Sequence, residues 1–160
     1  MRILGIDPGL NTSGYGLIDG EGLRIKLVEA GFIRTNPKNE LESRLGQIHK
    51  AVDKIIKKFK PEIMILEKLY AHWRHPTTAC KLGHVRGIIC LAARQNDLGL
   101  NEYAATRIKK AIVGNGHASK LQMQRMIQGL LKLEALPKPP DIADALALAI
   151  AHSYIASKKI

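Results

Sequence analysis

Acidic residues are scarce in this chain and unevenly placed. The 160 residues include 25 Lys and Arg against 14 Asp and Glu, which gives a formal net charge of +11. Residues 68–133 hold eleven basic side chains and two acids, and no acid lies between Glu67 and Asp97 or between Glu102 and Glu134. A long stretch with so few acids fits a surface that faces phosphate better than a mixed solvated surface. The composition therefore favours a polyanionic partner, most simply nucleic acid.

Cysteines and long apolar runs are also scarce. Cys80 and Cys90 show neither a metal-binding spacing nor a disulfide framework, so we expect buried thiols in a reducing cytoplasm. No segment reaches the roughly 20 apolar residues of a membrane helix, so no membrane partner is expected. The opening "MRILGIDPG" predicts a strand, because its apolar run is too brief for a secretory signal. A hydrophobic content of 46% over this length suits one compact domain, residues 1–160.

Hydrophobic periodicity predicts an α/β sheet covered by helices. Three strands open the chain and are expected to pair antiparallel, at 2–7, 14–19 and 23–35. A helix over 40–58 and the buried strand "EIMILE" (62–67), of the kind found in parallel sheets, come next. The remaining predicted elements are a helix over 77–95, a strand over 99–103, and helices over 104–112, 119–132 and 141–157. Strands followed by alternating helices and strands are typical of this fold class.

Four carboxylates stand out from the basic background. Asp7 and Glu67 each end a strand, and Asp141 and Asp144 begin the last helix in "DIADALALAIAH". Ordinary explanations exist: an Asx turn for Asp7, and helix capping or the helix dipole for Asp141 and Asp144. Glu67 must be solvated, paired or metal-bound, because burying a bare carboxylate costs several kcal/mol. His152 lies about 12 Å beyond Asp144 along the helix, so we expect a half-buried helix residue there and not a ligand.

Considered together, these four carboxylates predict a cation site. Two end strands of one sheet, and two start a helix that could cover the same sheet edge. Carboxylates so close repel one another unless cations join them. Ligands that are all oxygen select hard ions such as Mg²⁺ or Mn²⁺. Two such ions about 4 Å apart promote phosphoryl transfer, so an acidic metal pocket inside a basic surface indicates a nuclease.

Five motifs follow one another in order along the chain. They are "ILGIDPGLNTSGYG" (3–16), "ILEKLY" (65–70), "KLGHVRG" (81–87), "EYAATRIKKAIVGNGHASK" (102–120) and "DIADALALAIAH" (141–152). In these motifs the chain resembles the RuvC family of Holliday junction resolvases, and the resemblance covers essentially the whole sequence. It implies a ribonuclease H-like fold, a mixed five-stranded sheet flanked by helices.

The same resemblance implies an activity and its partners. The family implies a homodimer that nicks opposing strands of a four-way DNA junction in recombination and DNA repair. It implies Mg²⁺ as the cofactor, two ions per active site, with Mn²⁺ as a substitute. A branch-migration motor as a further partner and a bacterial-type cytoplasmic setting are implied as well.

Individual residues match the family's functional positions. The four catalytic and metal-binding carboxylates of the family correspond to Asp7, Glu67, Asp141 and Asp144. Lys109 and Lys120 match lysines that contact DNA near the scissile phosphate. Tyr70 stands where many members have a phenylalanine thought to engage bases at the crossover.

The segment "AHWRHPTTAC" (71–80) departs from the family, which more often has smaller polar residues there. Trp73 either stacks on a DNA base, which is worth about 1–3 kcal/mol, or packs on the following helix. Arg74 and Arg86 are further candidate DNA contacts, whereas His72 and His75 receive no role. The preferred cleavage sequence is therefore left open.

Several alternatives stay open at this point. A kinase of the actin-like superfamily would need a second glycine-rich phosphate turn and a second domain, which this chain is too short to hold. A ribonuclease H-like nuclease acting on RNA, and a module that only clamps branched DNA, are the other candidates. Gly83 and Gly87 could serve packing within the chain or a dimer contact. Gly114 and Gly116 could present amides to a phosphate or form an ordinary helix–helix turn.

Overall fold

A computed structural model describes residues 1–69 and 76–157, which form one sheet with helices on both faces. The strands are β1 (Arg2–Asp7), β2 (Thr12–Glu21), β3 (Arg24–Arg34), β4 (Ile63–Glu67) and β5 (Gly99–Tyr103). The helices are α1 (Leu41–Phe59), α2 (Pro76–Gln95), α3 (Ala105–Val113), α4 (Lys120–Leu130) and α5 (Pro140–Ser157). The predicted order of elements is confirmed, with β2 longer and α4 shorter than expected. No helix within the described ranges is both long and apolar enough to cross a membrane.

The sheet is mixed, in the order β3-β2-β1-β4-β5. The first three strands pair antiparallel, whereas β4 runs parallel to both β1 and β5. Parallel neighbours bring their carboxyl ends to the same edge of the sheet. Gly5 pairs with Ile65 in register, and the same register continued by two residues places Asp7 beside Glu67. The topology therefore brings two acids together that are sixty residues apart in sequence.

Side-chain alternation divides the core between the two faces of the sheet. β1 directs Leu4 and Ile6 toward α1 and α2, and Ile3 toward α3, α4 and α5. Because side chains on a strand alternate, Asp7 lies on the same face as Ile3. The same alternation in β4 directs Glu67 to this face. Both acids at the sheet edge thus face the helix that carries the other two.

Glycines let α5 lie very close to the sheet. A Cβ atom at Gly5 would stand 2.0 Å from the carbonyl oxygen of Ala145, and one at Gly14 would stand 2.0 Å from that of Asp141. Any side chain at these two positions would push the helix away. α5 is apolar on nearly all sides, because the sheet covers one side and α3 and α4 pack against another. The first turn of α5 is thereby held directly over β1 and β2.

Two expectations about polar residues have different outcomes. His152 is a helix residue, as expected, but it is more buried than expected, at 4% exposure, and its Nδ1 lies 2.8 Å from the hydroxyl oxygen of Tyr103. The expectation of two buried thiols is wrong for Cys80, which is exposed, whereas Cys90 is half-buried. The reason is that the buried face of α2 runs through Val85 and not through Cys80.

Gly5→Ala is expected to lower the free energy of unfolding by roughly 3 kcal/mol, because the added methyl group overlaps backbone atoms of α5. Urea unfolding followed by circular dichroism measures the change. The matched control is Gly46→Ala. Gly46 is exposed in α1 with nothing within 4 Å of a Cβ, so alanine should stabilise the helix by up to about 1 kcal/mol. Equal stability of Gly5→Ala and wild type would refute this account of how α5 packs.

Candidate active site

Four carboxylates from three elements meet at the edge of the sheet where β1 and β4 end. Asp7 and Glu67 are the last residues of these strands, and Asp141 and Asp144 lie at the start of α5. Asp7 is repelled by the charges of all three others, and Glu67 is repelled by that of Asp144. The structure therefore brings together the four acids singled out in the sequence.

Asp7 has a strongly raised pKa. The pKa of its carboxyl is raised from 3.8 to about 7, first by burial and then by repulsion from Asp144, Asp141 and Glu67. The ammonium of Lys120 opposes the shift. An acid so perturbed inside a cleft, by burial and by like charges, is typical of a functional site. It also marks an excess of negative charge that a bound cation would relieve.

Arg86 of α2 fixes the end of β4. Its Nη1 donates to the carbonyl oxygen of Glu67 at 2.7 Å, and its Nη2 donates to the carboxylate of Glu102 on β5. Although Glu67 is exposed overall, partial desolvation of its carboxyl raises the pKa, aided by Asp144, while Lys109 and Arg86 oppose the shift. The structure thus gives Arg86 a supporting contact, and its expected contact with DNA stays a prediction.

Lys120, the first residue of α4, lies among the carboxylates. The helix begins there because Ser119 and Gln122 form a reciprocal capping box. Lys120 Nζ donates to Asp144 Oδ2 at 2.9 Å, and this hydrogen bond raises the pKa of the ammonium. The two side chains are 60% and 36% exposed, so the ion pair adds little to stability. It holds the ammonium at the site.

The chemistry of this donor set suits a hard divalent cation. All four side chains offer carboxylate oxygens, which Mg²⁺ and Mn²⁺ prefer. In the part of the chain that the structure describes, no three His, Cys, Asp or Glu side chains are arranged to hold one metal ion. Instead, the Lys120 ammonium neutralises part of the cluster at Asp144. The chemistry of the donors fits the ion, and the ammonium occupies a place beside them that a cation would share.

Two adjoining cavities flank the turn that follows β1. The first, of about 380 Å³, is lined by Asp7 and Glu67. The second, of about 510 Å³, is lined by Gly9 and Asp141. Leu82 of α2 lines both cavities. Asp7, Glu67 and Asp141 therefore lie along a groove that continues past the turn.

The segment predicted to wedge into DNA lies outside the described residues. Tyr70, Trp73 and Arg74 fall there, as do His72 and His75. Their assigned contacts with DNA stay predictions.

Sequence reasoning missed Arg44, which is 7% exposed beside the second cavity. A signal was present in the sequence. Arg44 stands four residues before Ile48 and eight before Val52, so a charged side chain begins the otherwise apolar buried row of α1.

Known proteins share both the sequence and the fold. The family model described as crossover junction endodeoxyribonuclease RuvC matches residues 3–152. A protein of that name from Rhodopirellula baltica is 42% identical over 158 residues, covering 99% of this chain and 89% of its own length. Another from Halothermothrix orenii is 43% identical over 161 residues, covering 99% of this chain and 97% of its own. The structure of Thermus thermophilus RuvC in complex with Holliday junction substrate is similar with a TM-score of 0.94 at 32% identity, covering 99% of this chain and 96% of that one.

Asp7→Asn is expected to stabilise the metal-free protein, with a larger gain at about pH 8 than at about pH 5. The pKa of Asp7 is raised from 3.8 to about 7, so the folded state binds more protons than the unfolded state in this window. Wild-type stability therefore falls as the pH rises through it. The full penalty above the window is as much as about 4 kcal/mol, and asparagine removes it. Thermal unfolding in EDTA measures the effect.

Asp19→Asn provides a control of opposite sign. Asp19 pairs with Arg2 at 2.9 Å, and this hydrogen bond lowers the pKa of Asp19. Removal of the Asp19 charge should therefore lower the unfolding temperature at about pH 8. If Asp7→Asn and wild type unfold at the same temperature at both pH values, burial and the neighbouring carboxylates do not destabilise the Asp7 carboxylate as described.

Proposed function

The chain belongs to the RuvC family of crossover junction endodeoxyribonucleases, and we propose that it resolves four-way DNA junctions by hydrolysing phosphodiester bonds. The observation that carries the proposal is the meeting of Asp7, Glu67, Asp141 and Asp144 at one end of the sheet, in a chain with a net charge of +11. A basic surface attracts the phosphate backbone, and a cluster of carboxylates inside it provides a place for divalent cations.

These four carboxylates would hold the cations, for which we propose two Mg²⁺ per site, with Mn²⁺ as a substitute. When bound, such ions supply a water of lowered pKa and neutralise charge that develops on the phosphate. Asp7 would be the central ligand, because the charges of all three other carboxylates raise its pKa. Arg86 keeps Glu67 in place through its hydrogen bond to the Glu67 carbonyl oxygen.

Lys109 and Lys120 would orient the scissile phosphate. Lys120 Nζ already lies 2.9 Å from Asp144, and Lys109 is close enough to Glu67 to oppose the rise in its pKa. Both ammonium groups can donate to phosphate oxygens once cations take over the neutralisation of the carboxylates. Lys120 would then leave Asp144 for the substrate.

We also propose a homodimer, so that two sites nick opposing strands of the junction. Gly83, Gly87 and Leu91 lie four residues apart on one exposed stripe of α2, and Leu91 is 50% exposed. A Cβ at either glycine would meet nothing within 4 Å, so packing within the described chain does not account for them. An open stripe of this kind allows a second helix to approach closely.

The proposal extends to the cellular setting. One nuclease domain spanning 1–160 would act in the cytoplasm, in recombination and DNA repair. A branch-migration motor would supply junctions to it.

Asp7→Asn should reduce cleavage at least about a hundredfold while leaving junction binding largely unchanged, because the amide keeps the shape of the side chain but loses its charge. The assay uses an immobile four-way junction with Mg²⁺, beside a linear duplex and an EDTA control. The wild type should make paired nicks at symmetric positions, only on the junction and only with metal. Wild-type rates in the variant would contradict the role given to Asp7. A wild type that binds junctions tightly and never cuts would indicate a structural clamp.

Lys109→Ala and Lys120→Ala should slow turnover and reduce the slope of log affinity against log salt by roughly 1 each, because each lost phosphate contact releases one counterion fewer. Lys50→Ala is the matched control. Lys50 is exposed on α1, which packs on the face of the sheet opposite α5. Slopes and rates that match those of Lys50→Ala would show that the two lysines are merely solvated.

A further inference from the structure

A buried arginine without an acidic partner lines the cavity beside the carboxylates. Arg44 is held in place by three hydrogen bonds. Its Nε donates to Thr35 Oγ1 at 2.9 Å, and its Nη2 donates to the Leu10 carbonyl oxygen at 3.2 Å and to Asn11 Oδ1 at 2.5 Å. These bonds join α1 to the end of β3 and to the turn after β1.

All three acceptors are neutral. Within residues 1–69 and 76–157, no carboxylate lies within ion-pair distance of Arg44. Burying a cation without a counter-charge is costly, and buried charges in proteins are normally paired. The side chain therefore has a charge that its own fold leaves uncompensated.

The remaining nitrogen of the guanidinium faces accessible space. No described residue accepts a hydrogen bond from Nη1 of Arg44. Because no fully buried side-chain nitrogen or oxygen in the described ranges lacks a partner, Nη1 is not sealed in the core. The space that Arg44 lines is the cavity of about 510 Å³.

The other lining groups favour an anion. Thr78 and Lys81 of α2 line the same cavity, together with turn residues 9–12. Among its titratable lining groups, Arg44 and Lys81 are cationic and Asp141 is anionic, so positive charge prevails. Asp141 also belongs to the carboxylate cluster, which places this cavity directly next to the proposed active site.

We propose that this cavity binds a phosphodiester group of the cleaved strand, next to the scissile one. The inference rests on the proposed function and adds a substrate contact to it. Arg44 offers a guanidinium that is already oriented, Lys81 a mobile ammonium, and Thr78 a hydroxyl. The two cavities adjoin at Leu82. A DNA strand whose scissile phosphate lies at Asp7 therefore continues into the cavity lined by Arg44. The contact fixes the register of the strand at the carboxylates.

The test replaces single phosphates of the cleaved strand by neutral methylphosphonates, one position at a time, in an immobile junction. Binding is measured in EDTA with the wild type, Lys81→Ala, Arg44→Gln and Lys54→Ala. Lys54 is the matched control, because it is exposed on α1 about 15 Å along the helix from Arg44. At one position flanking the cleavage site, the neutral group should weaken wild-type binding about tenfold. Lys81→Ala and Arg44→Gln should lose little further affinity there, whereas Lys54→Ala should behave as wild type.

The outcomes separate this inference from the proposed function. Arg44→Gln can loosen the turn that Arg44 holds, so its unfolding temperature is recorded, and the exposed Lys81 provides a test that does not depend on it. If a methylphosphonate lowers the binding affinity of wild type and of Lys81→Ala equally at every position of the strand, the inference is wrong and the proposed function still stands. A wild type that binds junctions no better than linear duplex would contradict both.

A last comparison distinguishes DNA from free phosphate as the occupant. Inorganic phosphate could raise the unfolding temperature of the wild type more than that of Lys81→Ala. If it does so while no methylphosphonate position distinguishes the two proteins, the cavity is a free-phosphate site and the inference is wrong.

Discussion

The packing of α5 on glycines of β1 and β2 is the contact on which the site depends. At Gly5 and Gly14, backbone atoms of the helix take the space that a side chain would fill. Because Asp141 and Asp144 lie at the start of this helix, the separation between helix and sheet sets their distance from Asp7. A bulkier sheet face would spread the carboxylates apart, and no shared cation could then bridge them. The close packing of the core therefore also determines the spacing of the acids.

This close packing has an electrostatic cost. It partly buries Asp7 among three other carboxylates, which raises its pKa to about 7. The Lys120 ammonium and the Arg86 guanidinium offset part of the repulsion from positions beside the cluster. The carboxylates would also repel a polyanionic substrate unless cations neutralised them. Stability and substrate binding therefore both call for positive charge at the same point of the molecule.

The sequence sufficed for the features that depend on local pattern. Hydrophobic periodicity identified the strands, and the positions of Asp7 and Glu67 at strand ends placed both acids at one sheet edge. Side-chain contacts that depend on how helices and turns pack against one another could not be predicted. Lys120 and Asp144 are 24 positions apart in the sequence, and only the docking of α4 against α5 creates that pair. The position of Arg44 in the apolar row of α1 can be recognised in the sequence. Its hydrogen-bond partners cannot, because they lie in a turn whose path depends on the completed sheet.

The turn after β1 connects the packing of the fold with its chemistry. It is held internally, since the Gly9 amide donates to the Ser13 hydroxyl and that hydroxyl donates back to the Gly9 carbonyl oxygen. It is held externally by Arg44 through Leu10 and Asn11. These hydrogen bonds tie the turn that follows Asp7 to the Arg44 guanidinium. Successive phosphates of a DNA strand are spaced by the covalent repeat of its backbone. A rigid turn between the carboxylates and the Arg44 cavity can therefore determine which phosphate lies at the carboxylates.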